Sequence, residues 1–293
     1  MLKPKISRLS PACTEVLQEA RPGADFRYLY ISDLHLDNPK CDRNLLRRHL
    51  DQALETKSLV FCFGDVFCAM QGKGDPRGSK ADVAEPHKRT YWNAILNDAF
   101  EFFLPYKSIL AVLSDGNHET AVIKHREIDL LEILCERLRE NKSQVQHMPY
   151  QGWVKHRYFD DRGKTASSKT CGRSLLTHFD HGRGGGGPVT RNVIETNRRM
   201  ARIENSDCYV YGHVHESWQL KTQRERLTAQ GNMEFATQLH LQCSTYKQEY
   251  VAGNGFHMER GGPPKPLGGW WVRHRLKVYK GIRRWHLSAE ETF

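Results

Sequence analysis

The sequence predicts an α/β fold, and three patterns carry that reading. Short apolar runs that stop abruptly at Gly, Asp, Asn or His recur between residues 27 and 216. In the first half these runs alternate with stretches of helical periodicity, as buried parallel strands alternate with the helices that cover them. From residue 145 onward strand patterns dominate. With 293 residues, 39% hydrophobic and 27% charged, the chain can bury a sizeable core.

The first strong strand is residues 27–32, which run into Asp33. Helical spacing follows at about 42–57, with Leu45, Leu46, His49, Leu50 and Leu54 near one face. Residues 59–63 are continuously apolar and end at Gly64 and Asp65. Residues 69–90, rich in Gly, Pro, Lys and Asp, read as a long loop before a helix near 91–104. A strand at 109–113 leads into Ser114, Asp115, Gly116, Asn117 and His118. Ile128, Leu131, Cys135 and Leu138 mark the next helix by steps of three and four. Strands are expected around Trp153, at 174–177 and at 208–211. A Gly-rich loop and a helix at about 191–204 interrupt them, and the remainder to 287 is mostly strand and loop. No repeat and no linker divides the chain, so one domain over 1–293 is expected.

Composition narrows the partners. There are 44 Lys and Arg against 34 Asp and Glu, a net charge of +10, which favours polyanions and nucleic acid first. The eight cysteines form no Cys-x-x-Cys pair and no zinc-finger spacing, which argues against a disulfide framework. Residues 1–10 lack the apolar stretch of a signal peptide, and no run approaches the ~18 apolar residues of a spanning helix. A reduced, cytoplasmic protein without a membrane partner is expected.

Four apolar strands end in residues of one chemical kind. They are Asp33-Leu34-His35, Gly64-Asp65, Gly116-Asn117-His118-Glu119 and Gly212-His213-Val214-His215. Loops at the carboxyl ends of strands in α/β sheets converge on one crevice. Oxygen and imidazole donors gathered there suit borderline divalent ions. The glycines before Asp65, Asn117 and His213 allow tight turns or close backbone approach. Each piece alone is common in proteins; the ordered set is not.

That ordered set resembles the calcineurin-like metallophosphoesterases, over about residues 27–216. Residues 71–79, 116–120 and 184–190 resemble a narrower branch common in phages and prophages, whose members would act in the host cytoplasm. The resemblance implies a four-layer αββα sandwich, two mixed sheets flanked by helices. Its motif core would be 27–216, with a strand-rich part at 217–293 completing the second sheet. It also implies two divalent ions, manganese first, with iron, zinc, nickel and magnesium as the other candidates. Asp33, His35 and His215 would hold one ion and Asn117, His181 and His213 the other, with Asp65 bridging. His118 would face the leaving-group oxygen and donate a proton or hydrogen bond. The lone-histidine segment offers both His178 and His181; the family's habit of placing this ligand directly before Gly favours His181. Two such ions activate water for in-line attack on phosphorus and clamp the phosphoryl oxygens.

Other signals bear on the substrate. The loop 182–188 opens a helix and could present backbone N–H groups to phosphate, with Arg183 and Arg191 as partners. A flexible loop that makes room beside the ions fits it equally. The long loop carrying Arg77 follows Asp65 directly and should overhang the centre. Gly163-Lys164-Thr165 imitates a P-loop end but has Tyr158 where that motif needs Gly, which excludes an ATPase of this type. Asp115 would be a partner of a ligating His or face solvent. In residues 270–279, Trp270, Val272, His274, Leu276 and Val278 alternate with Trp271, Arg273, Arg275, Lys277 and Tyr279. The basic face is either a solvated edge or a track for nucleic acid, with Trp271 or Tyr279 stacking on bases. The leading expectation is a phosphodiesterase on nucleic acid or nucleotides, most simply a nuclease. The alternatives are a phosphomonoesterase on a small molecule or phosphoprotein, and a nucleic-acid-binding or assembly protein with a vestigial site.

Overall fold

The computed structural model describes residues 3–70, 90–160, 169–170, 173–185, 187, 189–227, 230–250, 258, 261–279 and 282–292. Arg77 and most of the long loop, and the P-loop-like tripeptide, lie outside the described residues.

Two mixed sheets pack face to face. The first runs, in spatial order, β1 (Lys5–Ser10), β2 (Cys13–Glu19), β7 (Gln151–Asp160), β9 (Leu175–Asp180), β10 (Cys208–Tyr211), β12 (Met233–Gln242) and β11 (Trp218–Leu227). A short β8 (Lys169–Thr170) pairs with β7. The second sheet runs β14 (Ile282–Glu291), β13 (Trp270–Tyr279), β3 (Asp25–Ile31), β4 (Leu59–Phe63), β5 (Leu110–Ser114) and β6 (Gln146–Met148). Between them Tyr28, Phe61, Phe63, Val112, Val154, Phe179, Val210 and Leu241 form the inner core. Full burial of one such side chain contributes roughly 1.5–3 kcal/mol.

The α-helices among the described residues are α1 (Arg43–Glu55), α2 (Tyr91–Phe103), α3 (Asn117–Arg126), α4 (Leu130–Glu140) and α5 (Val193–Met200). Helices α1, α2 and α4 cover the outer face of the second sheet, where Leu46, Leu50, Phe103, Leu131 and Leu134 meet Leu29, Ile31, Val60 and Cys62. Asp42 caps α1 by accepting the Leu45 N–H at 2.9 Å. Ala53 takes the buried position expected of Leu54, which is 38% exposed. Helix α5 lies against the first sheet through Arg199, whose Nη1 donates to Asp180 at 3.3 Å, and it is shorter than the expected 191–204. The molecule is thus the αββα sandwich that the motifs implied.

Two differences matter. The antiparallel pair β1–β2 precedes the first expected strand and extends the first sheet through parallel pairing of β2 with β7. Its period-two signal is weak because β1 buries only Ile6. The second concerns residues 217–293, which do not complete one sheet. The pair β11–β12 extends the first sheet beside β10, and β13–β14 extends the second beside β3. The reason is that β3 and β10 each present an unpaired ladder, and each hairpin covers one. No helix among the described residues is long and apolar enough to cross a membrane. Cys13, Cys41, Cys62, Cys68, Cys135, Cys208 and Cys243 are free thiols.

Candidate metal centre

Strands β3, β4 and β5 are parallel neighbours in one sheet, and β9 and β10 are parallel neighbours in the other. Their carboxyl ends therefore meet at one rim, and each feeds a short loop into the same space. The loops are stitched together by backbone bonds. Asp33 N–H donates to the Gly64 carbonyl at 3.0 Å, His35 N–H to Asp65 at 3.0 Å, and Gly212 N–H to His181 at 2.9 Å. The Asp33 carbonyl accepts from Tyr246 N–H at 3.0 Å and from Thr245 Oγ1 at 2.8 Å.

Backbone strain is concentrated here. Asp33, His35, Asp65, His213 and His215 all have φ between 47° and 70°. They are five of the eleven non-glycine residues with positive φ among the described residues. Each such conformation costs energy and persists where the surroundings over-determine it.

The side chains gather in two groups. Asp33, His35 and His215 form the first, with His215 Nε2 3.2 Å from Asp33 Oδ1 and 3.3 Å from His35 Nε2. Asp65, His181 and His213 form the second. Asn117 Oδ1 joins it, 3.2 Å from His181 Nε2 and 2.6 Å from His213 Nδ1. His181 Nε2 is 3.2 Å from Asp65 Oδ2, while His181 Nδ1 meets the Phe63 carbonyl at 2.9 Å. The His213 N–H donates to Asp33 Oδ2 at 2.9 Å and links the two groups.

This donor set fits divalent cations. Asp33 Oδ1 is buried with no hydrogen-bond partner, an expensive state for a polar atom without a ligand. His35 Nε2 and His215 Nε2, 3.3 Å apart, are close enough for both lone pairs to turn to one cation. Burial pushes His35 well below the ordinary imidazole value, and His118 beside it adds to the effect. Burial would raise the Asp65 carboxyl, but His181 and His118 outweigh it and hold it well below the carboxylate range. Burial opposes charge on His181, yet Asp65 and Asp33 bring its pKa up to about 10. A cation bound there takes the place of that proton.

The sequence model of the calcineurin-like phosphoesterase family matches residues 26–217, a span that holds all seven donors and His118. The chain belongs to the calcineurin-like phosphoesterase family. No curated protein matches it. Among solved structures, Vps29 of Cryptosporidium parvum is 14% identical, covering 92% of this chain and 99% of its own, with a TM-score of 0.33. Vps29 of Chaetomium thermophilum is 10% identical over 91% and 96%, with a TM-score of 0.32. GAP50 of Plasmodium is 10% identical over 91% and 84%, with a TM-score of 0.38. At these values they add nothing to the assignment to the calcineurin-like family.

The remaining expected residues fall in different places. His178 stands away from both groups, its ring against Trp153 and Tyr209 at 4.8 and 6.2 Å. Arg183 is exposed and 3.6 Å from Asp180, and Arg191 is exposed while its carbonyl accepts from Trp218 Nε1 at 2.9 Å. Asp115 neither faces solvent nor supports a donor histidine; it pairs with His147 at 2.9 Å. Trp271 is 2% exposed beneath the Arg27 guanidinium, 3.9 Å away, so it offers no face to a base.

Sequence reasoning gave no role to Glu119, which is buried and accepts three backbone N–H bonds. They come from Asp65 at 3.1 Å, Phe67 at 2.8 Å and Gly116 at 2.8 Å. It fastens the turn after β4 to the start of α3. Its place beside Asn117 and His118 was visible; the direction of its side chain was not.

Proposed function

We propose that this chain is a metal-dependent phosphoesterase that hydrolyses phosphodiesters of nucleic acid or nucleotides, most simply a nuclease. One observation carries the reading: seven donors from five strand ends meet in two adjoining groups, with an unsatisfied carboxylate oxygen on Asp33. Asp33, His35 and His215 would hold one ion, Asn117, His181 and His213 the other, and Asp65 would lie between. When bound, two divalent ions, manganese first among them, supply activated water and neutralise charge on the phosphoryl oxygens.

The protein's own groups do the rest. The His118 N–H donates to Asp65 Oδ1 at 3.0 Å and fixes the central carboxylate. The His118 ring stands beside that carboxylate, Nε2 3.7 Å from Asp65 Oδ2, where it would serve the leaving-group oxygen. The net charge of +10 supports a polyanionic substrate. The basic face of β13 is not where that substrate would be cut. Pairing of Trp270 with Tyr30 and Arg275 with Asp25 sets Arg275 at the start of β3, whereas the centre lies past its end. That separation is roughly 26 Å along the strand. Arg183 and Arg191, on the segment after His181, are the nearer candidates for phosphate contact. The narrower kinship with phage enzymes, and a cytoplasmic site of action, belong to the same proposal.

The test is hydrolysis by the purified chain with Mn²⁺ of bis-p-nitrophenyl phosphate, p-nitrophenyl phosphate, single- and double-stranded DNA, and RNA. Diester cleavage lost in Asp65→Asn is the expected result. Cleavage of monoesters alone would move the assignment to a phosphomonoesterase. Nucleic-acid binding without hydrolysis, unaltered in Asp65→Asn, would make the centre vestigial.

A further inference from the structure

The turn that follows Asp65 is held by a carboxylate outside the donor set. Asp37 is 4% exposed. Its Oδ1 accepts the Cys68 N–H at 2.5 Å, and its Oδ2 accepts the Ala69 N–H at 3.0 Å and the Tyr91 hydroxyl at 2.9 Å. Ala69 has φ of 50°, a conformation that the clamp holds against its cost. The carbonyl of Cys68, at the centre of this turn, faces His118 Nδ1 in a short hydrogen bond. A carbonyl only accepts, so Nδ1 keeps a proton, and Nε2 is the nitrogen that would carry the second proton, the one given to a leaving group. Asp37 also sits two residues from His35, whose N–H donates to the Asp65 carbonyl at 3.0 Å. One short segment thus supplies both a donor to the centre and the anchor of the turn.

We propose that Asp37 is a positioning residue that sets the tautomer and ring orientation of His118 through the backbone of Cys68. The inference rests on the reading of His118 as the leaving-group partner. A carboxylate is needed because it is an acceptor at both oxygens, whereas an amide would turn an N–H toward a backbone N–H or the tyrosine hydroxyl. The bonds of Asp37 go to the turn and to Tyr91, so its effect passes through one carbonyl to one ring.

Two measurements on the full-length chain test this. The first is two-bond ¹H–¹⁵N spectroscopy of the histidine rings without metal, with His118 assigned by the signal lost in His118→Asn. Wild type should show the Nδ1–H form at His118, and Asp37→Asn a mixture of tautomers. The second is hydrolysis with Mn²⁺ of aryl phosphate esters graded by leaving-group basicity. Asp37→Asn should slow esters with poor leaving groups roughly tenfold more than esters with good ones, as His118→Asn should, at unchanged metal stoichiometry. A uniform loss across the series, or a wild-type tautomer in Asp37→Asn, would overturn the proposal. If Asp37→Asn does not fold, Tyr91→Phe carries both tests with a smaller expected change, and no change in either would equally overturn it. A wild-type chain that hydrolyses no ester refutes the phosphoesterase reading instead, and the tautomer measurement still decides the role of Asp37.

Discussion

Three glycines precede donors, and the space around each shows why no larger residue stands there. A Cβ at Gly116 would lie 2.0 Å from Asp65 Oδ1, and one at Gly212 would lie 2.1 Å from Ser32 Oγ and 2.7 Å from Asp33 Oδ2. These two are close-approach positions with ordinary backbone angles. Gly64 differs: its φ is +100°, and a Cβ there would meet His181 Nδ1 at 2.2 Å. Gly116→Ala should therefore displace the Asp65 carboxylate and lower stability by about 1–3 kcal/mol. Calorimetric Mn²⁺ titration beside thermal melting checks this, and wild-type affinity in the variant would refute the displacement. Glu119→Gln should cost a further ~1–3 kcal/mol, since its amide nitrogen must replace one of the two accepting oxygens and so face at least the Phe67 N–H without accepting from it. A urea midpoint equal to that of wild type would count against it.

At the scale of elements, the end of β5 is tied to α4 through β6. His147 in β6 contacts Asp115 at 2.9 Å and Glu132 of α4 at 2.6 Å. Burial would lower the His147 pKa, but the hydrogen bond and charge of Asp115 win and bring it up to about 9 from 6.5. The folded state therefore binds this proton more tightly than the unfolded chain does. Its stabilisation is complete below about pH 6.5 and is lost as pH rises through about 9. The urea midpoint should fall over that window in wild type and vary less in His147→Gln. Equal slopes in both would remove the triad from the account. Because Asp115 is two residues before Asn117, this tie also anchors the segment that carries Asn117.

The whole molecule is two sheets closed over a core that is not purely apolar. His156 and His274 are buried between the sheets with ring centroids 4.7 Å apart. His156 meets the Tyr30 hydroxyl at 3.2 Å, and His274 meets that of Tyr158 at 2.6 Å. Burial drives His156 down to about 3 and His274 well below its usual value. Both are neutral in the fold, so protons bind the unfolded chain first, and stability falls as pH drops from about 6.5 toward 3. Tryptophan fluorescence should report acid unfolding that His156→Gln moves to lower pH; an unmoved midpoint would exclude His156 as a cause. Cations held at the rim would act on the molecule as a whole as well. A ligand bound only by the native state at 100 times its Kd stabilises it by about 2.7 kcal/mol. EDTA should therefore lower the melting temperature and Mn²⁺ restore it in wild type but not in Asp33→Asn.

The sequence by itself determined where strands stop and what stands at their ends. An apolar run halted by Gly and a polar residue is a local pattern, so Asp33, Asp65, Asn117 and His213 could be read without a structure. Leu54 against Ala53 was a matter of a small rotation about α1, which periodicity alone does not set. The tertiary structure decided everything that depends on which strands become neighbours. Pairing of β9 with β10 brought His181, not His178, beside Asp65 and Asn117. The open edges of β3 and β10 sent the two C-terminal hairpins to different sheets. The partners of Asp115, Glu119 and Asp37 are 32, 54 and 31 residues away in the chain, respectively, in the contacts with His147, Asp65 and Cys68. Side-chain period and composition act over a few residues, whereas hydrogen-bond partners are chosen by packing across the whole chain.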